Sequence, residues 1–119
     1  MQYYLIIPAH NEAKFIKLML DSVLAQTLQP KKIVVVNDHS TDATEKIVRS
    51  IAEKNPNIII LNNLSDAVHQ PGSKVIRAFE KGLSAIDDAY DFIVKLDADL
   101  ILPQNYFETV AKHFAQNPK

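Results

Sequence analysis

The chain has 119 residues, 47% hydrophobic and 23% charged, with a formal net charge of −1; that is about one domain, long enough to bury roughly two-thirds of its unfolded surface. Balanced charge gives no support to a nucleic-acid or membrane-surface partner, and the lack of cysteine excludes disulfides, thiolate chemistry and cysteine zinc sites. The opening MQYYLIIPAHNE has no basic leader and too short an apolar run for a signal peptide, and no segment approaches the roughly eighteen apolar residues of a membrane span. The simplest location is cytoplasmic, the inner face of the membrane being compatible.

Tyr3 to Ile7 form a short apolar run stopped by Pro8, and Ile33 to Val36 a second, β-branched and closed by Asn37 and Asp38. Both read as strands buried on two faces. Between them Phe15, Ile16, Met19, Leu20, Val23 and Leu24 recur at helical spacing. A second helix follows through Ala43, Ile47 and Ile51, its start marked by the capping oxygens of Ser40, Thr41 and Asp42, with Asp42 three before Glu45. Ile58 to Leu61 give a third strand. Residues 62–73, NNLSDAVHQPGS, are long for a passive connector. Val75, Ile76, Phe79, Leu83 and Ile86 then predict a third helix, Phe92 to Leu96 a fourth strand, and Pro103 opens a fourth helix through Tyr106, Phe107, Val110 and Phe114. The alternation predicts right-handed crossovers, hence an α/β, Rossmann-like three-layer sandwich with a mostly parallel sheet. The end at AQNPK, directly after a helix, is what a cropped domain would show.

Ligands of open parallel sheets settle at the carboxyl ends of the strands, and there the polar residues gather. The first strand runs into Pro8, Ala9, His10, Asn11 and Glu12, the second into Asn37, Asp38, His39 and Ser40, the fourth into Asp97, Ala98 and Asp99. Glu12, Asp38, Asp97 and Asp99 would repel one another unless a cation sat among them, and Mg²⁺ or Mn²⁺ prefers such carboxylates, completing its shell from water and phosphate. Residues two apart on an extended segment share a side, so Asp97 and Asp99 can face one small site. A lone Asp-x-Asp is also what a solvated strand end or helix cap looks like; its place after a buried strand, opposite two other polar strand ends, favours function. His10 and His39 could enter a zinc site, but no third well-spaced ligand accompanies them, and His10 could equally stack on a base. With only two glycines, Gly72 and Gly82, neither a P-loop nor a dinucleotide turn can be built.

IIPAHNEAKFIKLMLDSVLAQT, KIVVVNDHSTDATEKIV and FIVKLDADLILPQNYFE, in that order, resemble the pattern of glycosyltransferase family 2, whose members have a GT-A fold and use nucleotide-diphosphate sugars. The resemblance covers essentially the whole chain and implies a nucleotide-sugar-binding part of such a domain over residues 1–119, cut short at its C-terminus. It implies that Pro8, Ala9, His10, Asn11 and Glu12 border the nucleotide, with His10 where the family often has Tyr against the base. Asp38 matches the second acid of D-D-G-S-T-D, which typically bonds the base; Asn37 and His39 depart from that pattern, His39 replacing a glycine. Asp97, Ala98 and Asp99 match D-x-D, the first acid near the ribose and donor sugar, the second a ligand of Mn²⁺ or Mg²⁺. Where relatives carry A-R-N-x-G-L this chain has Phe79 at the arginine position, leaving Lys74 or Arg77 to supply phosphate charge.

The implied reaction inverts the anomeric carbon in a single displacement, with a UDP-sugar the commonest donor and the acceptor open, as in cell-wall or polysaccharide biosynthesis. The family's catalytic base follows D-x-D by about another half domain, so no base is named and this chain alone is expected to be poor or inert as a catalyst. Two other classes compete. A nucleotidyltransferase needs a glycine-rich basic loop after its first strand, which PAHNEAKF does not offer. A noncatalytic receiver-like module needs a phosphoacceptor after its third strand, where Asn62 and Asn63 stand.

Overall fold

A computed structural model describes residues 2–63, 87 and 90–116 of the chain. Strand β1 (Tyr3–Ala9), helix α1 (Ile16–Leu24), strand β2 (Lys32–Asp38), helix α2 (Thr44–Ala52), strand β3 (Ile58–Asn63), strand β4 (Phe92–Lys95) and helix α3 (Tyr106–Gln116) follow one another. The sheet has the order β3-β2-β1-β4, and each of its pairs is parallel. The helix expected over Val75 to Ile86 and the long connector up to Ser73 lie outside the described residues, apart from Asn62 and Asn63.

β1 is central because its residues can be buried on both sides: Tyr3 through Ile7 are all fully buried. Tyr3, Leu5 and Ile7 share one face with Ile33 and Val35, and onto it pack Ile16, Met19, Leu20 and Val23 of α1, Val48 of α2 and Phe107 of α3. Ile6, Val34 and Val36 take the other face with Leu61 and Ile93. Each such aliphatic side chain contributes about 1.5–3 kcal/mol by leaving water. α2 turns a slightly different stripe inward than its apolar spacing suggests. Thr44 and Val48 are its buried residues, and Ile47 and Ile51 pack at the margin.

Strands β1 and β2 run further than their apolar cores. Pro8 pairs with Val36 and Ala9 with Asn37, while Asn37 and Asp38 pair with Asn62 and Asn63 of β3. A proline is tolerated there because the even-numbered residues of β1 turn their backbone groups toward β4, as Ile6 does in accepting Leu96 N–H at 3.0 Å. Pairing with β4 ends at Ile6 opposite Lys95, so no ladder bond falls on the missing N–H of Pro8. The early end of β4 also leaves a step at this edge, into which residues 96–99 bend.

α3 begins at Tyr106 rather than at Pro103. The Pro103 carbonyl accepts the Tyr106 N–H at 3.1 Å, and buried Gln26 does the capping from the end of α1. Its Oε1 accepts the Phe107 N–H at 3.0 Å, and its Nε2 donates to the Pro103 and Ser22 carbonyls at 2.6 and 3.1 Å. Tyr3 stacks on Phe92 with centroids 5.2 Å apart and touches Phe107 at 4.8 Å, fixing α3 to the sheet. Burial pushes the Tyr3 phenol well above its ordinary pKa, and its hydroxyl donates to the Leu28 carbonyl at 2.5 Å.

Candidate functional site

At the carboxyl edge a cleft of about 240 Å³ opens between the ends of β1, β2 and β4. Pro8, Ala9, His10 and Glu12 line it from the first segment, Asp38 from the second, and Asp97, Ala98 and Asp99 from the third. Four carboxylates from distant parts of the chain thus meet at one rim. Asn11 is not part of the lining and acts as a fastener, while Lys74 lies outside the described residues.

Two loops form most of the wall, and both leave their strands through a left-handed residue, Asn11 with φ 52° and His39 with φ 56°. Asn and His are among the residues that tolerate this region. The loops are stitched together. Asn11 N–H donates to Ser40 Oγ at 3.0 Å, Glu12 N–H to Thr44 Oγ1 at 2.9 Å, Ala13 N–H to the Asp42 carboxylate at 3.2 Å, and Thr41 N–H to Asn11 Oδ1 at 2.8 Å. His10 Nδ1 lies 2.6 Å from the Asp38 carbonyl; a carbonyl only accepts, so that nitrogen carries the proton.

Ser40, Thr41 and Asp42 therefore divide their work differently from the run of helix caps that the sequence suggests. Asp42 serves both α2 and the neighbouring loop, accepting the Thr44 N–H at 3.0 Å and the Thr44 hydroxyl as well as the Ala13 N–H of that loop, whereas Ser40 and Thr41 hold that loop alone. Glu45 makes no reciprocal capping box; it takes Arg49 at 3.0 Å and Asn62 Nδ2 at 2.8 Å. Hydrogen bonds from the Thr44 hydroxyl, then from the Thr44 and Ala13 N–H groups, hold the Asp42 carboxyl below its ordinary range. Asn62 and Arg49 do the same for Glu45.

The third wall is built otherwise. Leu96 and Ala98 are buried, Asp97 and Asp99 exposed, so both carboxylates face outward together. They do so from a turn, closed by Leu100 N–H on the Asp97 carbonyl at 3.3 Å, and not from an extended strand, because β4 has already ended. Lys95 Nζ stands 3.4 Å from Asp97, a counter-charge legible in hindsight from its place two residues earlier. Among the described residues Asp99 has no ion-pair partner. The crowding registers on Glu12: burial first, then the charges of Asp99, Asp42 and Asp97, push its carboxyl above the ordinary value, with His10 opposing.

No group of three His, Asp or Glu side chains among the described residues is arranged to hold a metal ion. Each of the two histidines turns its Nδ1 to Asp38, His10 to the carbonyl and His39 to Oδ1 at 2.9 Å. Glu108, on the first turn of α3 and outside the cleft lining, accepts the Thr27 hydroxyl at 3.0 Å. Asn37, read from the sequence as a polar strand end, is buried at the end of β2, its Nδ2 donating to Asn62 Oδ1 at 2.9 Å. No helix among the described residues is long and apolar enough to cross a membrane.

A parallel α/β sheet with its acids at the carboxyl edge places them where open sheets of this class bind their ligands. The chain belongs to Glycosyl transferase family 2, whose profile it matches over residues 4–119. It is 29% identical over 114 residues to the poly-beta-1,6-N-acetyl-D-glucosamine synthase of Staphylococcus aureus, covering 96% of this chain and 26% of that protein. Two solved structures share the GT-A arrangement. Staphylococcus aureus TarS 1–349 in complex with UDP superposes with a TM-score of 0.78 at 25% identity, covering 99% of this chain and 33% of that one. The mannosyltransferase PcManGT of Pyrobaculum calidifontis, in complex with GDP-Man and Mn²⁺, gives 0.77 at 25% identity over 98% and 33%. The chain spans about a quarter or less of the length of the curated relatives it matches.

Proposed function

We propose that residues 1–119 form the donor-binding part of a glycosyltransferase that takes a nucleotide-diphosphate sugar, a UDP-sugar being the first candidate, and passes the sugar with inversion to an acceptor in cell-wall or polysaccharide synthesis. The observation that carries this reading is the cleft itself, where Glu12, Asp38, Asp97 and Asp99 from three separate strand ends share one opening. Relatives that bind UDP or GDP-Man with Mn²⁺ support it. At about 240 Å³ the cleft falls below the roughly 300–1,000 Å³ usual for ligand pockets, so it holds only part of such a donor.

Within the cleft, Pro8, Ala9, His10 and Glu12 border the nucleotide, with Asn11 fastening their loop from outside the lining; the His10 ring offers a flat face to the base and Asp38 an acceptor to it. Ala98 lets the donor approach the backbone between Asp97 and Asp99. The donor set fits a hard divalent cation: two outward carboxylates without thiolate or converging imidazole, where Mg²⁺ or Mn²⁺ takes one or two protein oxygens and completes its shell from phosphate and water. Asp99 is the proposed ligand, since Lys95 already engages Asp97. When bound, the ion would neutralise charge that develops on the leaving diphosphate. Lys74 is the proposed second source of positive charge. No residue is assigned as base.

Thermal-shift measurements with UDP-, GDP- and dTDP-sugars, each with and without Mn²⁺, test this on wild type and Asp99→Ala. A bound ligand stabilises according to its concentration over its Kd. The expected result is a metal-dependent rise for at least one donor that disappears in Asp99→Ala; equal rises in both proteins, or none with any donor, would contradict the reading.

A further inference from the structure

His39 stands where a β-carbon is disfavoured and glycine is free, at φ 56°, and D-D-G-S-T-D has glycine at this position. A backbone outlier retained by a side chain that glycine lacks points to work done by that side chain. The imidazole Nδ1 lies 2.9 Å from Asp38 Oδ1. The Asp38 side chain is 8% exposed against 37% for His39, and only Asp38 lines the cleft. His39 therefore acts beside the site and not in it. On the other side His10 Nδ1 holds the Asp38 backbone carbonyl at 2.6 Å, so side chain and main chain of Asp38 are each fixed by a different ring.

We propose that His39 is a positioning residue that orients the Asp38 carboxylate as a fixed acceptor for a ring N–H of the donor's base, and so selects uracil, thymine or guanine against cytosine. This rests on the nucleotide-sugar reading of the cleft. The chemistry is direct: uracil and thymine carry a proton on N3 and guanine on N1, whereas the corresponding N3 of cytosine is a bare lone pair that a carboxylate repels. An acceptor already held in place loses no rotamer freedom on binding.

Calorimetric titration of UDP, GDP and CDP in the presence of Mn²⁺ tests the assignment on wild type, His39→Gly, His39→Asn and Asp38→Asn. Wild type is expected to favour UDP or GDP over CDP by roughly tenfold or more. His39→Gly, freed of its backbone strain, should melt at the same or a higher temperature yet bind the preferred nucleotide roughly three- to tenfold more weakly and discriminate less against CDP. His39→Asn, which tolerates the left-handed backbone and keeps an N–H donor, should recover part of the loss. In the Asp38→Asn background His39→Gly should add nothing, since the effect runs through Asp38. If wild type binds none of the three nucleotides, the donor-site reading falls and this inference with it. If it binds and His39→Gly keeps both affinity and discrimination, or weakens binding equally with and without the Asp38 carboxylate, the positioning role alone is overturned.

Discussion

The two walls of the cleft are made by opposite means. On one side the loops after β1 and β2 are joined by cross-loop hydrogen bonds that leave Asn11, Glu12, Ala13 and Thr41 with satisfied amides, and Thr44, fully buried, sits at their junction. On the other, the turn after β4 is closed by one backbone bond of 3.3 Å and anchored by buried Leu96 and Ala98, with Asp97, Asp99, Leu100 and Ile101 all exposed. The first wall is shaped before any ligand arrives, as recognition of a rigid base requires. The second presents its two charges from an exposed turn, as the proposed metal and phosphate site would suit.

Substitutions should separate the walls cleanly. Thr44→Val removes the buried hydroxyl that accepts the Glu12 N–H and donates to the Asp42 carboxylate, leaving the half-buried Glu12 amide without its partner. Chemical denaturation should show a loss of about 1–3 kcal/mol, while Asp99→Ala on the opposite wall should stay within about 0.5 kcal/mol of wild type. Comparable losses at the two positions would erase the distinction between them.

A smaller effect concerns pH. The Asp42 and Glu45 carboxyls lie below their ordinary values of 3.8 and 4.5, so the stability they confer is present above those values and is lost as pH falls through their folded-state pKa. Glu12 is raised above 4.5 and acts in the reverse sense: its charged form is penalised in the fold, and stability increases as pH falls through its raised pKa toward 4.5. Melting temperature should therefore pass through a maximum on the mildly acidic side. Glu12→Gln should flatten the limb above that maximum and raise stability near neutrality by roughly half a kcal/mol. A limb of unchanged slope in Glu12→Gln would show that the crowding at this rim lies elsewhere.

The contrast also explains what the sequence disclosed. The strands, two described helices with apolar stripes, and the gathering of acids at one edge follow from periodicities of 2 and 3.6, which reflect burial directly. Thr44 and Gln26 were not visible. Each is a polar residue buried because a partner far along the chain satisfies it, and pairing over such distances leaves no local pattern. Asp97 and Asp99 were placed on one side by strand alternation, whereas a turn produces the same outcome. The left-handed backbone of His39 gives a physical reason for the glycine of the D-D-G-S-T-D pattern it replaces.

The central claim is the proposal that Asp99 holds one divalent ion in a cleft where the loops after β1 and β2 take the nucleotide diphosphate. Its most direct test is the paramagnetic broadening of backbone amide resonances when Mn²⁺ is added to the protein with UDP, compared with Mg²⁺. Signals from residues 9–12 and 97–100 should be lost first, while those of Lys32, Ile58 and Phe92 at the opposite edge of the sheet persist. Broadening centred on any other part of the molecule, or equal loss at both edges, would contradict the account.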